Sequence, residues 1–430
     1  MRMTVHKRIS PVAWIPTAYF AMGLPFVAIS LAAVIMLADL GIDEASITFW
    51  TSLLILPYTL KPLWSPLLEL YFTKKTFVLT CQLLSGICFG FIAFSLPLPD
   101  FFAYTITLMG VIAFCGATND IATDGIYLTS LDKTTQARYI GWQGAFYNLA
   151  KVLVNGGLIY LAGRLMRHFG KTAPDMAATY AWMIIMGLMA GILIAVQIYH
   201  CFFPTGSTNQ ETPATLRDAM SSLCDVFKDF FTKKHIWLYI LFIICYRLTE
   251  GFAVKMVPLF LKAPAVAGGL GLSNEDIGLT YGTMGTVAFI AGSVLGGYFT
   301  AHFGLKKVLI PLVSIFNIPF VIYYLLAYFR PESLMIVAAA LVTEYFCYGF
   351  GFVGLTLFMM QQVAAGRHPM AHYAFASGIM NLGFMLPGMA SGYICRTLGY
   401  ESFFLLALAM SLPAFIIAAK IPFTHTTEKQ

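Results

Sequence analysis

Two aspartates four residues apart, Asp120 and Asp124, close an almost wholly apolar run that begins at Phe101. At that spacing they share one face of a helix. Carboxylates in so apolar a setting can take up and release protons, or pair with a cation to hold one arrangement of the chain. Lys61, late in another apolar run, is a candidate partner. Arg247 and Glu250 are three residues apart, also on one helical face, where each can neutralise the other. Glu344 stands alone near the middle of a further apolar run, either as a proton or substrate group or as a satisfied core carboxylate. Lys151 and Lys255 complete a set of eight ionisable residues inside apolar runs, and either can simply snorkel to the surface. Neutral amides are interleaved with them: Asn119, Gln143, Asn148, Asn155, Asn317, Gln361, Gln362 and Asn381. With 15% aromatic residues, such amides suit a sugar or peptide, held by hydrogen bonds and ring stacking. Hydrogen bonding between helices is the plainer use for any one of them.

The elements that must carry these groups follow from composition. The chain of 430 residues is 59% hydrophobic and 11% charged, with mean hydropathy +0.78. Soluble domains carry about 25% charged residues. Runs of roughly 20 apolar residues span a bilayer. They divide the chain into twelve expected spans, near 11–38, 47–68, 77–97, 101–128, 139–162, 179–203, 236–261, 276–300, 308–329, 334–363, 374–396 and 402–421. The runs lack the alternation of outer-membrane barrel strands, so an all-α integral membrane protein is expected. The first run is too long for a cleaved signal peptide and lacks a small-residue cleavage site. A charge in mid-bilayer costs about 2.5–3.5 kcal/mol on insertion scales, so the eight should face a bundle interior or a watered cavity. Six of them fall on spans 4, 7 and 10.

Lys and Arg set the orientation. With both termini cytoplasmic, sixteen of the 26 fall in cytoplasmic segments, six on the opposite side and four inside spans. The net charge of +6 is thus a topology signal and not a nucleic-acid footprint. Seven of the eight cysteines lie in or beside spans with no CxxC, which leaves neither a disulfide framework nor a metal site. GKT at Gly170–Thr172 lacks the upstream glycine of a phosphate loop, which disfavours ATP-driven transport.

The longest hydrophilic connection, 204–235, separates two groups of six spans, 1–203 and 236–430. Its second part places Leu216, Met220, Leu223, Phe227 and Phe230 at helical spacing, and Thr215 with Asp218 offers a capping start. An amphipathic helix lying on the cytoplasmic face or against the bundles is expected there, with docking of a partner as the alternative. The loops after spans 2 and 8 are weak copies of each other, SPLLELYFTKK and GYFTAHFGLKK. Their charges, Glu69, Lys74, Lys75, Lys306 and Lys307, join Lys61 as candidates for a conformational lock. Gly292/Gly296 and Gly388/Gly392 permit close helix packing.

The paired loops, the long central connection and the six-plus-six layout together resemble the major facilitator superfamily. MGLPFVA (Met22–Ala28), LKPLWSPLLELY (Leu60–Tyr71), NDIATDGIYLTSL (Asn119–Leu131), YRLTEGF (Tyr246–Phe252), EYFCYGFGFVGL (Glu344–Leu355) and the stretch His372–Gly392 narrow this. They resemble the AmpG-type muropeptide permeases and the related acetyl-CoA transporters. The resemblance implies two six-helix bundles with spans 1, 4, 7 and 10 lining a central cavity, and no cofactor. It implies proton-driven import of GlcNAc-anhydroMurNAc and its peptides across the inner membrane by a monomer. Asp120, Asp124, Glu250 and Glu344 would couple protons. Arg247, Asn119, Gln143, Asn148 and Asn381 would meet the substrate. Ala301 stands where the loop pattern has an acid, and Leu70 where it has an arginine. An acetyl-CoA-like, siderophore or drug substrate stays open, as does a non-transporting sensor. A membrane prenyltransferase would need a second aspartate-rich motif that the chain lacks.

Overall fold

The computed structural model describes residues 10–65, 68, 73–131, 133–202 and 216–424. Among these, every regular element is helical. Nine helices among the described residues are long and apolar enough to cross a membrane. One of them, Ala371–Ala418, bends at Gly399, whose φ of +74° breaks it into spans 11 and 12. Spans 2 and 7 are further apolar rods, interrupted near Leu54 and at Arg247. The layout therefore accommodates the twelve expected spans. Span 5 reaches beyond its apolar run to 133–169, because its polar ends remain helical outside the apolar stretch.

Local chemistry sets the helix ends. Asp43 caps span 2 by accepting from the Ser46 amide at 3.0 Å. Ser273 and Asp276 form a reciprocal cap at the start of span 8. Span 1, Pro11–Asp39, carries Pro25 and then a π-turn at Ala28–Ala32. Proline removes an amide donor, and a π-turn is one way to restore the helix afterwards. The linker helix, Leu216–Phe231, buries Phe230, and the Phe227 and Phe230 rings lie 4.3 and 5.5 Å from the Phe375 ring on span 11. Thr215, its expected cap, lies outside the described residues.

The first six spans and the last six meet along two seams, span 5 against span 8 and span 2 against span 11. Glycines make both possible. A methyl group on Gly282 would come within 2.0 Å of the Asn155 carbonyl oxygen, and one on Gly278 within 2.8 Å of the Gly156 oxygen. On the other seam, methyls on Gly388 and Gly392 would meet the Ser52 and Thr48 hydroxyls at 2.5 and 2.3 Å. At one end of the molecule polar bolts reinforce the seams. Asp39 pairs with Lys262 and accepts from the Asn274 side-chain amide at 2.6 Å. Arg167 pairs with Glu275, and the Tyr400 hydroxyl donates to Glu44. This end, the distal face, lies opposite the described chain ends, which mark the terminal face.

Candidate functional site

A cavity of about 180 Å³ lies between the two groups of spans. Its walls come from both. Phe26, Ser30, Ile55, Lys151 and Asn155 belong to spans 1, 2 and 5. Arg247, Glu250, Lys255, Tyr281, Phe289, Tyr345, Tyr348, Asn381 and Phe384 belong to spans 7, 8, 10 and 11. Aromatic rings and a few polar groups facing one space are the usual make-up of a small-molecule site.

Span 7 builds the centre of this site through its own interruption. At Arg247 (φ −97°, ψ 2°) the helix Ile236–Tyr246 ends and Leu248–Lys262 begins. Glu250 then falls in the first turn of the new helix, where a carboxylate is favoured. Arg247 Nε donates to Glu250 Oε2 at 2.7 Å, and its Nη2 donates to the other carboxylate oxygen. The Tyr348 hydroxyl adds a third bond to Glu250 at 2.7 Å. The guanidinium lies 4.8 Å from the Phe384 ring centre and 5.5 Å from that of Phe352. Arg247 is 7% and Glu250 2% exposed, so the charges sit buried but fully paired.

Two lysines share the cavity. The Lys151 ammonium lies 5.3 Å from the Phe289 ring centre and 5.4 Å from that of Tyr147. Lys255, 1% exposed, donates to the Ser30 carbonyl at 3.0 Å, inside the π-turn of span 1. Snorkelling was one sequence expectation for both, and the structure directs both inward instead. Asn381 also lines the cavity. Glu344 does not line it. It is buried beside the cavity and accepts from the Tyr323 hydroxyl at 2.5 Å. Between Glu344 and Glu250 lie Tyr281, Tyr345 and Tyr348, with ring centres 4.9 and 6.1 Å apart in succession. This tyrosine group had no separate signal in a chain so rich in aromatics.

Span 4 departs from expectation. It contributes no residue to the cavity wall, and the first six spans line it through spans 1, 2 and 5. Tyr58 of span 2 wedges against Gly116, where a methyl would meet its hydroxyl at 2.0 Å, and the aspartates beyond face spans 1 and 2. Asp120 Oδ2 lies 3.7 Å from Lys61 Nζ, and Asp124 accepts from the Tyr19 hydroxyl at 2.8 Å. Around them, Asn119, Thr118, Thr123 and Tyr58 are buried with polar atoms that have no protein partner.

The remaining candidates scatter. Gln143 and Asn148 lie on span 5 outside the cavity wall, and the Asn148 amide donates to the Gly144 carbonyl of its own helix. Lys74 leans on Gly125 of span 4, and Lys75 donates to the Cys201 carbonyl at 2.8 Å. Lys306 and Lys307 are exposed at the start of span 9. Glu69 lies outside the described residues. The distal bolts were missed, because charges at span ends read only as topology.

The sequence profile of the Major Facilitator Superfamily matches residues 17–391. The anhydromuropeptide permease of Escherichia coli (strain K12) is 26% identical over 407 residues, covering 93% of this chain and 77% of the relative. The putative transporter AmpG 1 of Rickettsia bellii (strain RML369-C) is 22% identical, covering 86% of this chain and 88% of the relative. Among solved structures, a bacterial homolog of the human lysosomal transporter Spinster, inward-facing and unoccupied, superimposes with a TM-score of 0.72 at 14% identity, over 95% of this chain and 94% of that one. A D-xylose-proton symporter does so with a TM-score of 0.70 at 12% identity, over 96% and 98%. Apolar helical rods, a cavity walled by both early and late spans and a family match over most of the length lead to one conclusion: the chain belongs to the Major Facilitator Superfamily and is a multi-pass membrane transporter of a small molecule.

Proposed function

We propose that the protein imports a cell-wall sugar-peptide of the anhydromuropeptide class by proton-coupled alternating access. The observation that carries this reading is the cavity, whose rings and amides come from both six-span groups. Phe26, Tyr281, Phe289, Tyr345 and Phe384 offer faces for sugar rings, and Asn155 and Asn381 offer amide donors and acceptors. The printed name of the Escherichia coli relative supplies the substrate class. In this reading the protein is a monomer of the inner membrane with its terminal face in the cytoplasm. The groups 1–203 and 236–430 rock about the cavity as two bodies, and 204–235 connects them.

The bolted distal face then marks the state that releases substrate to the cytoplasm. Loading from outside requires Asp39–Lys262 and Arg167–Glu275 to part. Asp120 and Asp124 take protons from the far side and give them up inside, with Lys61 competing for Asp120. Glu250 and Glu344, joined by tyrosines, carry the protonation state to the cavity wall. The test is uptake of a labelled GlcNAc-anhydroMurNAc peptide into proteoliposomes holding the full chain. Accumulation should require an acidic exterior and should be competed by unlabelled anhydromuropeptide, but not by acetyl-CoA or a siderophore. Uptake unaffected by collapse of the pH gradient removes the coupling, and competition by acetyl-CoA alone removes the substrate.

A further inference from the structure

We infer that Lys151 and Lys255 form a two-point anion site, so that the transported solute must carry two separated negative groups, carboxylates or phosphates. This deepens the reading of the cavity as the transport site and rests on it.

The argument begins with charge. Among the described residues, four ionisable side chains line the cavity: Lys151, Arg247, Glu250 and Lys255. Arg247 and Glu250 satisfy each other, with both guanidinium–carboxylate contacts and the tyrosine bond made internally. Among the described residues, neither lysine has a carboxylate partner. Lys151 faces only two rings, and Lys255 only one backbone carbonyl. A cation held over a ring gains less than it gains from a charged hydrogen bond in the same setting. Two ammonium groups in a membrane interior are costly unless something of opposite charge completes them. Both line the same cavity.

Placement gives the pair its use. Lys151 belongs to span 5 and Lys255 to span 7, so one solute bridging them would touch both six-span groups. Lys255 already reaches across to span 1 through Ser30, within the π-turn where the backbone ladder changes register. An anion arriving there exchanges a neutral carbonyl for a full charge on the same ammonium. Arg247, held by Glu250 and stacked between Phe352 and Phe384, is the fixed member of the wall. A neutral sugar would leave both lysines unanswered.

The test uses the full chain in lipid nanodiscs and two independent probes. The first is an anhydromuropeptide as free acid and as the form in which every carboxyl is a neutral carboxamide. The free acid should bind at least about tenfold more tightly. Lys151→Gln and Lys255→Gln should each remove most of that preference, and Lys151→Arg should retain it. Equal binding of acid and amide overturns the anion site while leaving the substrate class standing. The second probe is pyridoxal 5′-phosphate, an anionic aldehyde that condenses with amines, compared with neutral pyridoxal and read by mass spectrometry after borohydride reduction. Lys151 should be labelled at least about tenfold faster by the phosphate form. If neither muropeptide form binds but this preference holds, the substrate class fails and the anion site stands. Equal labelling by the two aldehydes with no acid preference overturns the proposal.

Discussion

Spans 4 and 7 each carry an acid with a nearby cation, and the two pairs are built in opposite ways. Arg247 and Glu250 are locked face to face by a two-toothed contact, capped by Tyr348 and pressed between Phe384 and Phe352. Asp120 and Lys61 stand 3.7 Å apart, Lys61 with 27% of its side chain exposed, amid buried polar atoms that no protein group satisfies. A pair made as tightly as the first is a fixed part of the wall. A pair as loose as the second can part and re-form at little cost, as a proton-handling group must. In the proposed cycle the same residue types would serve as framework in one place and as moving part in the other.

The largest effect expected from this contrast is on span 7. Glu250→Gln leaves Arg247 buried and still charged, because a guanidinium does not lose its proton. Stranding one member of a buried pair costs about 3–5 kcal/mol, and detergent-extracted folded protein should fall steeply. Arg247→Gln should be milder, since a carboxyl can go neutral by taking a proton. The double Gln variant should recover folded yield but not uptake, because the guanidinium also shapes the cavity wall. Normal yield for Glu250→Gln would break the comparison at its stronger end.

Span 4 should answer differently. Asp124→Asn keeps the size of the side chain and its bond with Tyr19, so folded yield should hold while uptake driven by a pH gradient is abolished. Full pH-driven uptake by the Asp120→Asn/Asp124→Asn double variant would take span 4 out of coupling. The smallest effect belongs to Lys61→Gln. A partly exposed cation at that distance contributes about 0–1 kcal/mol, so thermal stability in detergent should scarcely change. A loss as large as that of Glu250→Gln would show that the two pairs are alike after all.

The sequence disclosed these pairs because spacing alone puts positions three or four apart on one helical face, and because a charge in an apolar run stands out. It disclosed the rods for the same reason, as length and apolarity. What it hid depends on partners far away in the chain. Nothing local says that Asp39 meets Lys262, or that Arg167 meets Glu275. An apolar run likewise does not show which way a lysine turns, so Lys151 and Lys255 read as snorkelling when they face the cavity. Nor does periodicity reveal that span 7 stops and restarts at Arg247, since neither a proline nor a glycine marks the break itself. Span 4 was assigned to the cavity by resemblance, and Tyr58 packed on Gly116 shows why its aspartates face spans 1 and 2 instead.

The glycine seams bear on how fast the molecule can change shape. Helices that interlock by side-chain ridges must lift over one another to tilt. Where Gly278 and Gly282 meet span 5, and Gly388 and Gly392 meet span 2, there are no ridges on the glycine side. These surfaces behave as smooth bearings, on which the rods can roll with little friction. Resistance to opening is then concentrated in the few polar bolts at the distal face. In the proposed cycle the rate of opening would fall to Asp39, Lys262, Arg167 and Glu275, residues outside the cavity wall.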